Sequence, residues 1–450
     1  MFSDTARKWM VSINILVCSI YLGQRYLDVR LSPEALLQHM LVLEKDNIVG
    51  VGSQQPKVAL GYGGCHDLFV NATALLDYSE LYGKPEHFNE ITNKEELLRT
   101  LGLPDTRWAI GGNAPLMAKR FNTEGWDVLF AAKMSKKLKE LIPSQIKIVG
   151  DVANEEVKDD VHMILEYKAD EEFGEYKAPR ANRFIMHNDK NNPLLSSLEK
   201  FGETLPEFQP NLLVISGLQM MDNFPFQGDG TEQILNQPKN ILVHFEMASY
   251  VDIELLLHLT TKILPYVDSV GMNEQELSNL HSVLEYGEVS VVTDSNPRVA
   301  MALDLMRLIF TKTRHLNQEH GSDRNLTRIH VHTLAYQAIL TAKDSNWKRT
   351  RAATAKASLT AHRYVCDNPN IELERCKLLL DGSFAVTRDE NDSRRVYFDS
   401  AEPIACWDEV VDDEDVEICV APVLVCKEAR LTAGAGDNIS AAGLVLQVEI

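Results

Sequence analysis

From residue 211 onward, short apolar runs alternate with longer segments whose apolar residues recur every three to four positions. The runs at 212–216, 240–245, 267–271 and 328–333 are five or six residues long and rich in β-branched residues, as buried strands are. The segments at 253–264, 299–313 and 351–366 carry the helical period. Strands that alternate with helices predict an α/β fold, a mostly parallel sheet with helices on both faces. Ligands of such sheets sit at the carboxyl ends of the strands, so the polar residues there matter most.

The first half of the chain reads less evenly. Residues 31–43 predict an amphipathic helix and 46–55 a linker. An apolar strand from Val58 runs into the turn Gly61-Tyr-Gly-Gly64 and closes on Asp67, either aimed into a cleft or part of an ordinary capped turn. Residues 81–104 are polar and helical, with Glu86 among several carboxylates. Gly111 and Gly112 then precede a helical pattern, where Asn113 would either cap the helix or bond a hydroxylated ligand. Strands are expected at 126–132 and 146–150, separated by a basic helix at 133–141. Residues 161–167 and 181–186 predict paired strands joined by a charged connection, with no long helix between them. They suit a small β-rich lid, with strands within 60–110 and 160–187.

The stretch on which the chemistry turns lies near the end. An apolar run from Pro422 leads into Gly434-Ala-Gly-Asp437, and helix-forming residues follow, 441–447 among them. The first N–H groups of a helix lack intrahelical partners and carry partial positive charge, so glycine there lets a bulky anion approach the backbone. Gly434, Ala435 and Gly436 would then donate to a transferring phosphoryl group, with Asp437 taking the proton of the attacking hydroxyl. The plainer alternative is that Asp437 caps the helix and the glycines only permit the turn.

Two carboxylates at strand ends extend this reading. Glu246 closes an apolar strand, where it needs a partner or a metal. Glu276 follows Asn273 by three residues, the spacing of a capping box; the alternative is a carboxylate beside a polyphosphate, where one or two suffice for Mg²⁺. His244, His330 and His332 alternate on strands, a setting in which histidines are packed or hydrogen-bonded more often than metal-bound.

Composition narrows the class. The chain has 450 residues with a net charge of −20, which excludes a broad nucleic-acid surface. Much of the acidity lies at 408–417, expected to be a solvated loop. Arg7 and Lys8 precede an apolar run from Trp9 to Leu22, short for a span but suited to a secretory signal or an uncleaved anchor; a buried helix is the alternative. Residues 1–30 are therefore set apart, with the secretory pathway as the expected location and any membrane contact confined to them. If the segment is not a signal, the cytoplasm is expected. Seven cysteines show no CxxC or zinc spacing, and six would remain to pair beyond Cys18. Asn71, Asn325 and Asn391 head glycosylation sequons.

In this order, several segments resemble the eukaryotic ADP-dependent glucokinases, a branch of the ribokinase-like sugar kinases. They are Ile110-Gly-Gly-Asn-Ala114, Val161–Tyr167 with Lys177–Ile185, Ser216–Met221, His244–Ser249, Gly271–Leu277, Leu326–Thr333 and Pro422–Gly443. The resemblance runs from about residue 57 to the end. It implies one ribokinase-like domain over 31–450 and a lid that closes over the sugar. It also implies Mg²⁺-dependent transfer from ADP to D-glucose, giving glucose 6-phosphate and AMP at the entry to glycolysis, by a monomer. By matched position Asp437 resembles the catalytic base, and Glu246, Glu276 and Asp437 the Mg²⁺-organising set. Asp67, Glu86, Gly111, Gly112 and Asn113 resemble the sugar side, and His332 and Thr333 the nucleotide pocket. One departure stands out: the family's Asn four residues before the sugar-binding Asp is Gly63 here, so a hydrogen bond to a sugar hydroxyl is either missing or supplied by His66 or a water. An ATP-dependent or other-sugar kinase, and a catalytically quiet binding relative, are the alternatives.

Overall fold

The computed structural model describes residues 32–47, 55–75, 106–150, 157–178, 181–187, 189–222, 224, 241–290, 294, 296–392, 394–399 and 402–449. The expected helix at 81–104 with Glu86 and the N-terminal segment 1–30 lie outside them. Among the described residues no helix is long and apolar enough to cross a membrane.

The strands of the two larger sheets are β1 (Lys57–Gly61), β2 (Cys65–Asn71), β3 (Arg107–Gly111), β4 (Asp127–Ala131), β5 (Lys147–Val149), β6 (Val161–Tyr167), β7 (Asn182–His187), β8 (Leu212–Ile215), β9 (Leu242–Glu246), β10 (Ser269–Asn273), β11 (Arg328–His332), β12 (Tyr336–Ala342), β13 (Ala405–Val411) and β14 (Glu414–Pro422). Ten of them form one sheet in the order β13-β14-β12-β11-β10-β9-β8-β1-β4-β5. Pairing is parallel from β11 across to β5 and antiparallel at the β12, β14 and β13 edge. The remaining four form a lid sheet ordered β3-β2-β6-β7.

The main helices are α1 (Pro33–Asp46), α2 (Asn113–Thr123), α3 (Leu198–Phe208), α4 (Ile253–Lys262), α5 (Glu274–Tyr286), α6 (Val299–Glu319), α7 (Thr350–Val365) and α8 (Ala435–Gln447). Side chains of a strand alternate between faces, and here the two faces build separate cores. Ala59, Leu129, Leu213, Val243, Val270 and Ile329 join α3 to α6 on one side. Val58, Leu60, Phe130, Leu212 and Val214 join α2 and α8 on the other. On this second face the middle strands turn polar, with His244 and Glu246 on β9, Ser269 on β10, and Arg328, His330 and His332 on β11, all buried. Helix α8 covers them with the small residues Ser440, Ala441, Ala442 and Gly443.

Three expectations need correction. The acidic run 408–417 is not a loop: it folds back on itself as β13 and β14 around Asp412 and Asp413, both in left-handed conformation. Its carboxylates lie on an edge hairpin, where charge is solvated and discourages pairing with other chains. The basic helix expected at 133–141 shrinks to Lys136–Lys139. Asp67 does not end a turn but lies two residues inside β2, so the lid's strand pairing sets its direction. Cys366 pairs with Cys426 and Cys406 with Cys419, while Cys65 and Cys376 are free and buried.

Candidate active site

Helix α8 begins at the glycine turn. Gly434 holds φ +75° as its N-cap and offers no capping side chain, so the N–H groups of Ala435 and Gly436 open the helix. Asp437 is in the first turn and buried, so it does not cap the helix. The turn is held from several sides. Tyr364 donates from its hydroxyl to the Ala433 carbonyl (2.7 Å), the Asn438 amide donates to the Gly434 carbonyl (2.9 Å), and Arg120 donates to Asn438 (3.1 Å). Gly436 lies against the His332 ring, which leaves no room for a Cβ.

Asp437 shares the site with two further acids. Burial, and then the Glu246 charge, push the Asp437 carboxyl up to about 7, against the opposing effects of His332, Arg183 and Asn113. Glu276 is likewise pushed up to about 7, chiefly by burial and with Glu246 and Asp437 contributing. Glu246 goes the other way. Burial opposes its charge, but His244 at 2.8 Å and His332 at 3.6 Å hold it down to about 2. Burial lowers His244, whereas His332 is raised because Glu246 outweighs its burial. The His332 Nε2 contact is too long for a hydrogen bond, so its effect is electrostatic.

Glu276 does two things at once. It forms the expected capping box, accepting from the Asn273 backbone N–H (2.9 Å) and side-chain amide (2.8 Å). The same box holds its carboxylate within electrostatic reach of Asp437. Three buried acids with two carboxyls raised toward neutrality carry more negative charge than the histidines offset. Their donors are all oxygen, the set that suits Mg²⁺ beside a phosphate. The three are not gathered closely enough to ligate one ion together, so they fit a cation held largely through its waters.

The lid supplies the opposite wall. Asp67 on β2 pairs in register with His162 on β6, which pairs with His187 on β7. Alternation puts Asp67, His162 and His187 on one face, while Leu68, Val70, Met163 and Leu165 fill the other. Asp189 accepts from both histidines, from His162 Nε2 (3.0 Å) and His187 Nδ1 (2.7 Å), and His162 Nδ1 lies 3.9 Å from Asp67. Burial raises Asp67 above the usual carboxylate range, against His162, Arg183 and Arg107. Gly111 lacks a side chain where the Asp67 carboxylate passes; a Cβ there would overlap it.

Arg183, on the same lid face, acts on both Asp67 and Asp437. Its Nε–H is buried with no hydrogen-bond partner among the described residues. Thr432, in the loop before α8, donates to lid residue Glu166 (3.2 Å), so the lid and the glycine turn touch directly.

Asn113 is not the cap of α2. Gly112 is, at φ +97°, and the Asn113 side chain instead accepts from Gln219 and acts on the Asp437 carboxyl. The geometry thus links the Gly111–Asn113 turn to the α8 turn. Thr333 is not turned to the site: its hydroxyl closes the β11–β12 turn, donating to the Tyr336 carbonyl (2.9 Å) and accepting from its amide (3.0 Å). His330 bonds Gln337. His66 is tied to Asp159 (3.1 Å) and so does not replace a side chain at position 63. Asn192 occupies that space instead. Its Oδ1 lies 2.7 Å from where a Cβ of Gly63 would be; it accepts from the Gly64 N–H (3.0 Å), and its amide donates to Asp189 (2.7 Å). His162, Arg183, Asp189 and Asn192 were not singled out from the sequence as site residues, although the first two lie in segments matched to the family.

Comparison with known proteins agrees with this geometry. Residues 101–446 match the model of the ADP-specific phosphofructokinase/glucokinase conserved region. The chain is 33% identical over 427 residues to the ADP-dependent glucokinase of Bos taurus, covering 86% of this chain and 84% of that one. It is 30% identical over 354 residues to a probable ADP-dependent glucokinase of Caenorhabditis elegans, covering 75% and 68%. Among solved structures, an ADP-dependent kinase in complex with fructose-6-phosphate and ADPβS shares the fold with a TM-score of 0.62 at 18% identity, over 92% of this chain and 97% of that one.

Proposed function

The chain belongs to the ADP-specific phosphofructokinase/glucokinase family, and from that premise we propose that it phosphorylates D-glucose with ADP and Mg²⁺, giving glucose 6-phosphate and AMP. It is an ADP-dependent kinase, similar to the glucokinases of this family over most of its length. The observation that carries the residue assignment is Asp437. It is a buried carboxyl in the first turn of α8, raised to about 7 beside two other acids, with Asn113 acting on it from the opposite turn.

In this reading the sugar lies between Asp67, Asn113 and the Gly111–Gly112 turn, with its 6-hydroxyl toward Asp437. The 6-oxygen attacks the β-phosphorus of ADP as the bond from that phosphorus to the AMP oxygen breaks. Asp437 accepts the hydroxyl proton as the new bond forms. The N–H groups at the start of α8, with the helix dipole behind them, donate to the charge on the transferring group. Glu246 and Glu276 with Asp437 would hold Mg²⁺, which when bound neutralises charge on the phosphates. Closing the lid face over this site excludes water that would otherwise take the phosphoryl group.

A purified chain incubated with glucose, Mg²⁺ and either ADP or ATP tests the proposal through glucose 6-phosphate formation. Product with ADP and not ATP, lost in Asp437→Ala, is the expected result. Product only with ATP, or full turnover in Asp437→Ala, rejects donor or base respectively.

The N-terminal segment 1–30 is read as a secretory signal or anchor. Its basic start and apolar run support this, as do the two cystines, which persist in oxidising compartments. Asn71 and Asn325 are exposed, so glycosidase sensitivity of the expressed protein checks the assignment.

A further inference from the structure

Beneath Glu246 lies a line of polar side chains that the reaction just described does not use. Arg328, at the start of β11, is fully buried. Its Nε donates to Gln447 and its Nη1 to Ser269 Oγ (2.9 Å), and among the described residues it has no carboxylate partner. Ser269 Oγ is also 2.9 Å from His244 Nδ1, and His244 Nε2 is 2.8 Å from Glu246 Oε2.

Only one direction along this line leaves no buried group unpaired: the Ser269 hydroxyl could accept from both Arg328 and a His244 Nδ1–H, but its own proton would then have no acceptor among the described residues. A guanidinium can donate but not accept, so Ser269 Oγ is an acceptor toward Arg328. The Ser269 hydroxyl proton is then directed at His244, whose Nδ1 must be the acceptor. The imidazole proton therefore sits on Nε2 and is donated to Glu246. Arg328, Ser269 and His244 are completely buried and Glu246 nearly so, so water does not compete for these groups. Ser440 adds a second donor to the same Glu246 oxygen, Oε2 (2.5 Å). Among the described residues, Oε1 is left with only the longer contact to His332.

We infer that Arg328 is a positioning residue for Glu246: by holding the Ser269 hydroxyl it anchors the bare Nδ1 of His244, so that the ring aims its Nε2–H at Oε2 and leaves Oε1 as the oxygen presented to a cation. The function of this arrangement rests on the proposed cation role of Glu246, but the relay itself can be tested without a metal. The line explains why a buried arginine is placed two strands away from the carboxylate it serves. A direct Arg–Glu pair would occupy both oxygens in a fork. Acting through a serine and a histidine, the arginine engages one oxygen and keeps the other open.

The test uses the full chain with ¹⁵N-histidine labelling. In the wild-type protein at neutral pH, the His244 nitrogen shifts should report protonation at Nε2 and a hydrogen-bonded, bare Nδ1. Ser269→Ala and Arg328→Met should each move the Nδ1 shift toward that of a bare nitrogen with no donor, and Arg328→Lys, which can still donate to Ser269, should keep most of the wild-type shift. Should Arg328→Met fail to fold, Ser269→Ala carries the test, because it removes one hydroxyl from an otherwise unchanged strand. Unaltered His244 shifts in Ser269→Ala overturn the inference.

A second measurement follows Mn²⁺ binding with ADP present, by electron paramagnetic resonance. Arg328→Met should weaken binding about tenfold in the wild-type background and have no further effect in Glu246→Gln. Equal weakening in both backgrounds rejects action through Glu246. Wild-type Mn²⁺ affinity in Glu246→Gln alone would reject the cation role of Glu246 while the nitrogen shifts still decide the relay.

Discussion

Gly271 on β10 and Glu246 on β9 are neighbours in register, and the Glu246 carboxylate occupies the volume that a Cβ on Gly271 would need. The same volume borders Ser440 and His244, both hydrogen-bonded to Glu246. The glycine is thus required by a side chain on the next strand rather than by its own backbone. Gly271→Ala should force the carboxylate aside, with loss of about 1–3 kcal/mol of stability from overpacking. A displacement near 1 Å at the reacting centre also costs about 10²-fold in turnover. Urea unfolding and steady-state rates of the variant check both.

Asp437→Asn separates catalysis from stability. Turnover should fall by about 10²–10⁴-fold with the loss of a general base. Stability without cation should change the other way. The native carboxyl is raised to about 7 from an ordinary 3.8, so the folded protein holds a proton that the unfolded chain releases, and the associated stability is lost as pH rises from about 4 through 7. Metal-free Asp437→Asn should therefore melt higher than wild type at pH 8, and the gap should shrink at pH 5. A lower melting temperature at pH 8 would contradict the assigned environment.

Cation binding should release protons. Asp437 and Glu276 both sit near 7, so at neutral pH each is partly protonated, and a divalent ion displaces that proton. Calorimetric titration of Mg²⁺ with ADP in buffers of different ionisation enthalpy should show net release at pH 7 that vanishes above pH 9. Proton uptake on binding would reverse the sign of the argument.

Asn192 should matter more for sugar affinity than for turnover. Its amide anchors Asp189, which holds His162 beside Asp67. Removing it leaves buried polar groups unpaired, about 1–3 kcal/mol. Asn192→Ala should raise the glucose KM by about tenfold with little change in kcat. Gly63→Asn should be unstable, since position 63 has φ +76° and Asn192 already fills the space; a stable Gly63→Asn with normal KM would show that Asn192 can move away.

Much of the fold was legible because burial leaves a periodic trace. The alternation in Arg328-Ile-His-Val-His332 shows one apolar and one polar face within a single strand, and both faces proved buried. The edge hairpin β13–β14 was hidden because its solvent-facing acids mask the strand period. The Asn273 and Glu276 spacing gave the capping box, but only packing made that box also hold a carboxylate near Asp437.

The sequence by itself determined the local chemistry: glycines that open a helix, an acid in its first turn, strands that end in carboxylates, and a chain of segments resembling one kinase family. Those features depend on neighbours along the chain, and their physics is local. Tertiary structure alone decided that Asn192 fills the place of a side chain at 63, that His162 and Asp189 stand behind Asp67, and that Arg328 reaches Glu246 through Ser269 and His244. Each of these depends on strand register and on which face a side chain takes, and a shift of one residue would undo it.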